Sequence, residues 1–284
     1  MFSGVRQGGV LSGMLFNIYI NPIIVALKSS DLGCHIRDLF VGCIFYADDV
    51  ILLSASVLKL QRMLDIFNSV GSSIDVAFNP IKSKCLLIGP TFNTTPSLVS
   101  IGNIQLQWTQ QITYLGIILS NAKSFQVDFS DIRRKFFSAV NSILSKCSFT
   151  SELLKLQLLE SHCLPILTYA TESLNLSNLQ LSQLNAWWNS AYRRIFGFHQ
   201  WESVRELILM LGRLDLHHIV DLRSLKFIFN ISKLAEMNPC DVNNYCYTYT
   251  RSPECYALFG LYGCKYDWCF LRCKEKIYLS FSSI

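Results

Sequence analysis

The chain has 284 residues, of which 51% are hydrophobic and only 16% are charged, so it can bury one large core or two ordinary ones and is not a disordered tail. Its formal net charge of +5 permits a nucleic-acid partner without requiring one. The longest uncharged stretch, residues 7–27, contains Asn17, Asn21 and Pro22, which indicates a buried core helix and not a membrane span.

The cysteines and the first residues bear on the cellular compartment. The chain holds 11 cysteines, and those in apolar segments are typical of reduced thiols inside a core. No basic region followed by an apolar region and a cleavage site is seen near Met1. We therefore expect an intracellular protein, nuclear or cytoplasmic, that is not secreted and has no membrane partner.

Up to about residue 122, short apolar runs alternate with turn residues and helical patterns, which predicts an α+β region. The first helix is apolar on nearly all sides and is expected to be buried. The predicted elements are, in chain order, a helix over 11–29, a hairpin of strands 40–46 and 50–53, a helix over 57–70 ended by Gly71, a strand over 85–88, and a hairpin that joins 101–106 to 114–119.

From about residue 123 to residue 235 the apolar residues recur at helical spacing, which predicts a small helical domain. Two amphipathic helices stand out, over 132–147 and 181–196, and Gly197 is a natural end for the second. Residues 236–284 are rich in Tyr and Cys and show no clean period, so their structure is poorly specified.

Two adjacent carboxylates, Asp48 and Asp49, stand at the tip of the first predicted hairpin. Carboxylates inside an apolar segment are costly unless a cation neutralises them, and Mg²⁺ prefers carboxylate oxygen. A rigid tip could thus hold ions for two-metal phosphoryl transfer. The alternative is that both residues simply close a solvated turn, as Asp often does.

A glycine-containing segment precedes the first helix. Gly8 and Gly9 let the backbone approach a ligand closely, amides at a helix start favour anions, and Arg6 could contact a phosphate or a carboxylate. The alternative is an ordinary turn with a surface arginine.

Taken together and in order, these segments resemble the motifs of reverse transcriptases of the non-LTR (LINE-type) retrotransposon family, over residues 2–216. The similar segments are 6–12 and 15–17, the motif that lines the nascent base pair; 46–49, the catalytic palm hairpin; 79–84, the motif whose lysine lies near the outgoing pyrophosphate; 114–116, the primer grip; and 163–169 with 187–195, the helical thumb.

The resemblance implies an α+β fold in which residues 1–122 form part of a right-hand polymerase palm, an antiparallel sheet with packed helices. Residues 123–235 would form an all-α thumb, and residues 236–284 a Cys-rich tail. It implies an RNA-directed DNA polymerase, a nucleotidyltransferase that uses Mg²⁺, an RNA template and a DNA primer. The alternative is a remnant without catalysis that binds an RNA–DNA duplex through the thumb.

The resemblance also implies roles for individual residues. Asp48 would bind the metal, with Asp49 as an acidic neighbour and weaker ligand. Lys82 would be a general acid or a phosphate contact, although a solvated lysine after a turn explains it as well. The other implied contacts are Arg6, Gln7, Gly8 and Gly9 with nucleotide and template, Tyr114, Leu115 and Gly116 with the primer, and Arg133, Arg134, Lys135, Arg193 and Arg194 with backbone phosphates. Charge runs on a helix are more often its wet face.

The chain departs from the family pattern at its start. The family has another metal-binding aspartate on a strand before residues 6–12, with the fingers before that, whereas Met1 lies almost at this motif. We therefore expect a fragment that does not polymerise alone and that has an open sheet edge. A partner chain that supplies the fingers is left open.

The Cys-rich tail could suggest zinc. Its cysteines at 264, 269 and 273 are separated by four and three residues, but no histidine lies in the tail and the spacings fit a zinc knuckle poorly. We favour a degraded tail, or one foreign to the family, over a zinc site.

Overall fold

The computed structural model describes residues 9–36, 39–237 and 277–283. The chain divides into two compact units, unit 1 with Met1–Asp128 and Cys269–Ile284, and unit 2 with Phe129–Trp268. Sheets and helices are both present, which confirms the α+β class, while the assignment to palm and thumb stays a prediction. None of the described helices combines the length and the apolar character that a bilayer crossing needs.

In its described residues unit 1 has two helices and three sheets, of which only the largest is mixed, since one of its strand pairs is parallel. Its elements are α1 (Ser12–Ser30), β1 (His35–Ile36), β2 (Leu39–Phe40), β3 (Cys43–Tyr46), β4 (Asp49–Ser54), α2 (Val57–Ser73), β5 (Lys84–Ile88), β6 (Val99–Ile101), β7 (Ile104–Trp108), β8 (Gln111–Tyr114), β9 (Ile117–Ser120), β10 (Gln126–Asp128) and β11 (Ile277–Ser283). The largest sheet has the strand order β3-β4-β11-β5-β7-β6, and a second sheet has the order β10-β9-β8.

Helix α1 has the predicted bounds to within one residue, but the prediction that it is buried is wrong. Only the face with Ile20, Ile23 and Leu27 is fully buried, in a core shared with α2 and β4. Met14 and Ile18 on other faces are exposed. The helix packs against α2 and β3, so neighbours among the described residues cover one side of it, whereas its composition is apolar all round.

Helix α2 follows the predicted spacing and buries Leu60, Met63, Leu64 and Phe67 completely. Its N-cap Ser56 accepts a hydrogen bond from the Lys59 amide. The prediction that Gly71 ends this helix is wrong, because α2 continues to Ser73. A Cβ atom at Gly71 would lie 2.4 Å from the ring of Phe78, so the glycine allows close packing instead.

The predicted pairing of residues 101–106 with 114–119 is also wrong. The two stretches do not pair with each other. The first lies in the hairpin of β6 and β7, and the second in the hairpin of β8 and β9. Gly102 adopts a φ of 56° in the first turn, a conformation that glycine reaches without steric cost. Local pairing costs less loop-closure entropy than the longer connection that we predicted.

Strand β11 enters the largest sheet from far along the chain and lies antiparallel between β4 and β5. Its register pairs Ser283 with Asp49, and Phe281 with both Ile51 and Lys84. Strand β4 therefore has partners on both sides, β3 and β11, while β3 and β6 are the terminal strands of the sheet formed by the described residues. The predicted open sheet edge stays a prediction. The sequence pattern did not indicate β11.

Unit 2 is helical in its described part, as predicted. Its helices are α3 (Ser130–Lys146), α4 (Glu152–Leu158), α5 (Leu164–Leu167), α6 (Asn178–Phe196), α7 (Arg205–Met210) and α8 (Leu216–Met237), with a π-helical turn at Leu159–Cys163. A capping box of Ser177 and Gln180 starts α6. Gly197, with a φ of 72°, ends it in the predicted left-handed C-cap.

Candidate active site

The acidic pair lies at the end of a tight hairpin. Tyr46 and Asp49 form the last paired positions of β3 and β4, so Ala47 and Asp48 make a two-residue turn of the kind that favours left-handed backbone. Ala47 adopts a φ of 50°, which is costly for a residue with a Cβ and is found at functional turns. Asp48 is exposed and Asp49 is half-buried, so both carboxylates can meet a ligand from solvent.

The strands behind this turn are anchored in the core of unit 1. Val50 and Leu52 of β4 are buried, and Phe45, one residue before Tyr46, lies 6.3 Å from the buried ring of Phe67. Phe67 in turn stacks on Phe78 at 3.6 Å between ring centroids. Buried packing on one side of the hairpin thus fixes the position of carboxylates that remain at the surface. This aromatic support was not predicted, although the aromatic residue beside the acidic motif, Phe45, is visible in the sequence.

The predicted primer-grip residues form a second tight turn near the first. Leu115 and Gly116, with φ of 46° and 78°, join the paired residues Tyr114 and Ile117. The pKa of Tyr114 is raised, first by burial and then by the negative charge of Asp49 and by Tyr46. Because these groups are far apart in sequence, the fold brings the two predicted motifs together.

Lys82 lies at the same sheet edge as the acidic turn. Strands β4 and β5 are both antiparallel to β11, so they run in the same direction and begin at the same end of the sheet. Because β11 lies between them, their first residues are separated by two strand spacings, or about 10 Å. Lys82 is exposed two residues before β5 begins. The Asn79 side-chain oxygen accepts hydrogen bonds from the backbone amides of Ile81 and Lys82 at 3.1 and 3.2 Å. These bonds fix the backbone of the turn that precedes β5.

The glycine segment is described only in part, since Arg6, Gln7 and Gly8 lie outside the described residues. Gly9 is exposed just before α1, and its carbonyl accepts a hydrogen bond from the Ser12 amide at 3.1 Å. The predicted contacts of these four residues with nucleotide and template stay predictions.

Asp48 and Asp49 fit the donor chemistry of Mg²⁺, which takes oxygen ligands and often uses one or two carboxylates together with water and phosphate. Among residues 9–36, 39–237 and 277–283, no three His, Cys, Asp or Glu side chains gather as a metal-binding group. The acidic turn alone thus offers a partial set of protein ligands.

The basic residues predicted to contact phosphates lie in unit 2, and most already have a partner. Arg134 and Lys135 both pair with Asp131, at 2.5 and 2.7 Å, and these contacts lower the pKa of the Asp131 carboxyl. The guanidinium of Arg133 lies 5.8 Å from the centre of the Trp187 ring, which is a cation–π contact. The Arg193 side chain donates to the Glu202 carbonyl at 2.7 Å, and Arg194 is exposed.

The cysteines behind the zinc question, at 264, 269 and 273, lie outside the described residues. The cysteines that the structure describes form no disulfide, and Cys85 and Cys163 are fully buried. Burial raises the pKa of the Cys163 thiol, and likewise that of Cys43, to about 11, as is usual for thiols inside a core.

Replacing Asp49 with asparagine is expected to lower the pKa of Tyr114. The carboxylate disfavours the negative phenolate, so its loss removes one cause of the raised pKa while burial keeps the rest. The measurement is an absorbance titration of the phenol, taken as the difference between proteins with Tyr114 and with Tyr114→Phe. An unchanged Tyr114 titration in Asp49→Asn would mean that the two turns do not meet.

Comparison with known proteins agrees with this geometry. Residues 1–119 match the family model described as reverse transcriptase (RNA-dependent DNA polymerase). The chain is 31% identical over 120 residues to the transposon TX1 uncharacterized 149 kDa protein of Xenopus laevis, which covers 41% of this chain and 9% of that protein. It is 34% identical over 91 residues to the retrovirus-related Pol polyprotein from type-1 retrotransposable element R2 of Bradysia coprophila, which covers 32% of this chain and 10% of that protein.

Each match therefore spans about a tenth of the relative's length. The matched residues include the acidic hairpin, Lys82 and the turn after Tyr114. Over residues 1–119 the chain is therefore similar to reverse transcriptases, and both relatives are named for transposable elements.

Proposed function

We propose that unit 1 is part of the palm of an RNA-directed DNA polymerase and that the turn at Asp48 is its catalytic centre. The observation that supports this most is the tight acidic hairpin, in which Asp48 and Asp49 stand at the solvent-accessible end of strands whose other side is packed in the core. Both residues fall inside the segment that matches the reverse transcriptase family, and Lys82 begins a strand at the same sheet edge.

In this proposal Asp48 and Asp49 would hold Mg²⁺, which would supply positive charge for the transferring phosphoryl group. The chain contributes position. The buried strand β4 holds both carboxylates at one end of the sheet, where a primer end and a nucleotide can reach them from solvent. Fixed charges cost no reorganisation during the reaction, which makes this rigidity useful.

The other predicted contacts follow from their positions around this turn. Lys82 is proposed to donate to phosphate oxygens at the sheet edge, and Tyr114 with Leu115 and Gly116 to contact the primer end. Arg6, Gln7, Gly8 and Gly9, just before α1, are proposed to contact the incoming nucleotide and the template base through side chains and backbone amides.

Unit 2 is proposed to act as a helical thumb that holds the RNA–DNA duplex through backbone phosphates. Arg193 and Arg194 lie in the last turn of α6, and Arg133, Arg134 and Lys135 in the first turns of α3. Arg134 and Lys135 would have to exchange Asp131 for phosphate. Such contacts bind any sequence and weaken as salt rises.

The purified 284-residue polypeptide is expected to incorporate no deoxynucleotide on a primed RNA template with Mg²⁺. The described residues bring no third Asp, Glu, His or Cys side chain to Asp48 and Asp49, and two adjacent carboxylates repel each other and hold ions weakly without further ligands. The measurement is extension of a labelled primer. Asp48→Asn is the control. If the parent chain incorporates nucleotide and Asp48→Asn does not, the expectation is contradicted. If both incorporate it equally, the activity comes from a contaminating polymerase.

The incomplete ligand set also supports a second candidate, a protein that binds nucleic acid without catalysis. The net charge of +5 and the arginines of α3 and α6 favour it. Binding of a primer–template duplex would then weaken linearly with the logarithm of salt concentration and show no incorporation. Polymerase activity in a longer polypeptide that contains residues 1–284, lost when Asp48 is replaced by asparagine, would exclude this candidate.

A further inference from the structure

Two aromatic rings are stacked in the turn between α6 and α7, just after the end of α6 that carries Arg193 and Arg194. The rings of His199 and Trp201 are parallel to within 3°, with 4.7 Å between their centroids. Trp201 is nevertheless 74% exposed. Its second face is therefore open to solvent. What distinguishes Trp201 from other exposed apolar side chains is that its ring is already stacked on a second ring and so presents an ordered flat surface.

The turn that carries these rings is held in place by its own hydrogen bonds. The Glu202 carboxylate accepts from the His199 amide, and the Glu202 amide donates back to the His199 carbonyl at 3.1 Å. The Arg193 side chain donates to the Glu202 carbonyl at 2.7 Å, which ties the turn to the end of α6. Because the rings are already ordered, a ligand that stacks on them pays little conformational entropy.

The shape of the open surface selects its ligand. A flat aromatic face without a required hydrogen-bond partner accepts any nucleobase, because every base has a π-face. A base inside a duplex is already stacked on its neighbours, whereas an unpaired base has a free face. The exposed Arg194 and Arg205 lie within a few residues of the turn, with the exposed Glu206 beside Arg205, and the two arginines supply donors for a phosphate backbone.

We propose that His199 and Trp201 form a stacking platform for an unpaired nucleobase of single-stranded nucleic acid. This inference rests on the proposed function, since it names a further contact of a protein that handles a template and a primer. The platform gives unit 2 a means of holding unpaired bases that is separate from the phosphate contacts proposed for its arginines.

The test compares the full chain with Trp201→Ala in binding to short single strands of oligo(U) and oligo(dT). Loss of one base–aromatic stack is expected to weaken binding about tenfold, and Trp201→Phe is expected to lose less because it keeps a ring. The slope of affinity against salt should not change, since no phosphate contact is lost. Trp201 fluorescence is expected to be quenched when the strand binds.

Phe149→Ala is the matched control, because Phe149 is a fully exposed aromatic residue in the same unit without an assigned ligand, and its loss should leave binding unchanged. If Trp201→Ala and the parent bind both single strands with equal affinity, and still bind a primer–template duplex, the stacking platform is overturned but the proposed function is not. Trp201 would then be a candidate contact for a protein partner. Absence of binding to single strands and duplex alike would overturn the platform together with the proposed function.

Discussion

Replacing Asp48 with asparagine is expected to reduce nucleotide incorporation about 10²–10³-fold in a polypeptide that contains residues 1–284 and extends a primer, the size of effect seen when one group that stabilises transition-state charge is removed. Asparagine keeps the shape of the side chain but removes its charge, so the turn should fold as before. The measurement is the rate of single-nucleotide addition at saturating Mg²⁺ and nucleotide.

Asp65→Asn provides the control, because Asp65 lies on the surface of α2 in the same unit and only accepts a hydrogen bond from Gln61 at 2.8 Å. It should leave the rate unchanged. Asp49→Asn should reduce the rate less than Asp48→Asn, since Asp49 is proposed as the weaker ligand. Retention of more than half of the rate in Asp48→Asn would remove the acidic turn from catalysis.

Replacing Phe67 with alanine is expected to destabilise unit 1 by about 3–5 kcal/mol, the usual cost of removing a fully buried phenyl ring from a core. Phe67 is completely buried in α2 and lies between Phe78, at 3.6 Å, and Phe45, at 6.3 Å between ring centroids. Since small domains are stable by only about 5–15 kcal/mol, this loss is a large part of the total. The free energy of unfolding in urea, compared between variant and parent, measures it.

Leu58→Ala is the matched change for this experiment, because Leu58 lies on the same helix and is 65% exposed. Its cost should stay within about 0.5 kcal/mol. Similar losses for the two variants would show that the aromatic contacts do not form the centre of the core. Because Phe45 adjoins the acidic turn, Phe67→Ala should also weaken any activity that depends on Asp48.

Local pattern predicted the local structure of this chain, and long-range pairing escaped it. The spacing of Leu60, Leu64 and Phe67 predicts α2, and Gly197 predicts the end of α6. The ring of Phe78, which comes from a segment after the helix, packs so closely on Gly71 that no side chain fits there. The local pattern does not contain this contact, so we predicted the end of α2 too early. The exposed side of α1 has the same cause, since composition describes a helix but not how many neighbours it has.

The candidate site divides in the same way. Adjacent acids at a predicted turn identify Asp48 and Asp49 directly, because both belong to one short hairpin. The approach of Tyr114 to Asp49 depends on two hairpins that are distant in the chain, and no periodicity encodes it. The stacked pair of His199 and Trp201 was missed for another reason, since short turns have no repeating pattern to analyse.

The position of β11 has a consequence for how the protein is made. The largest sheet places Ile277–Ser283 between β4 and β5, so a ribosome must translate all of unit 2 before this sheet can close. Until then the nascent chain carries two unpaired strand edges, which are the surfaces that chaperones must protect from pairing with other chains. Such late, distant pairing slows folding, and we expect the acidic turn to reach its final rigidity only after Ile277–Ser283 has been synthesised.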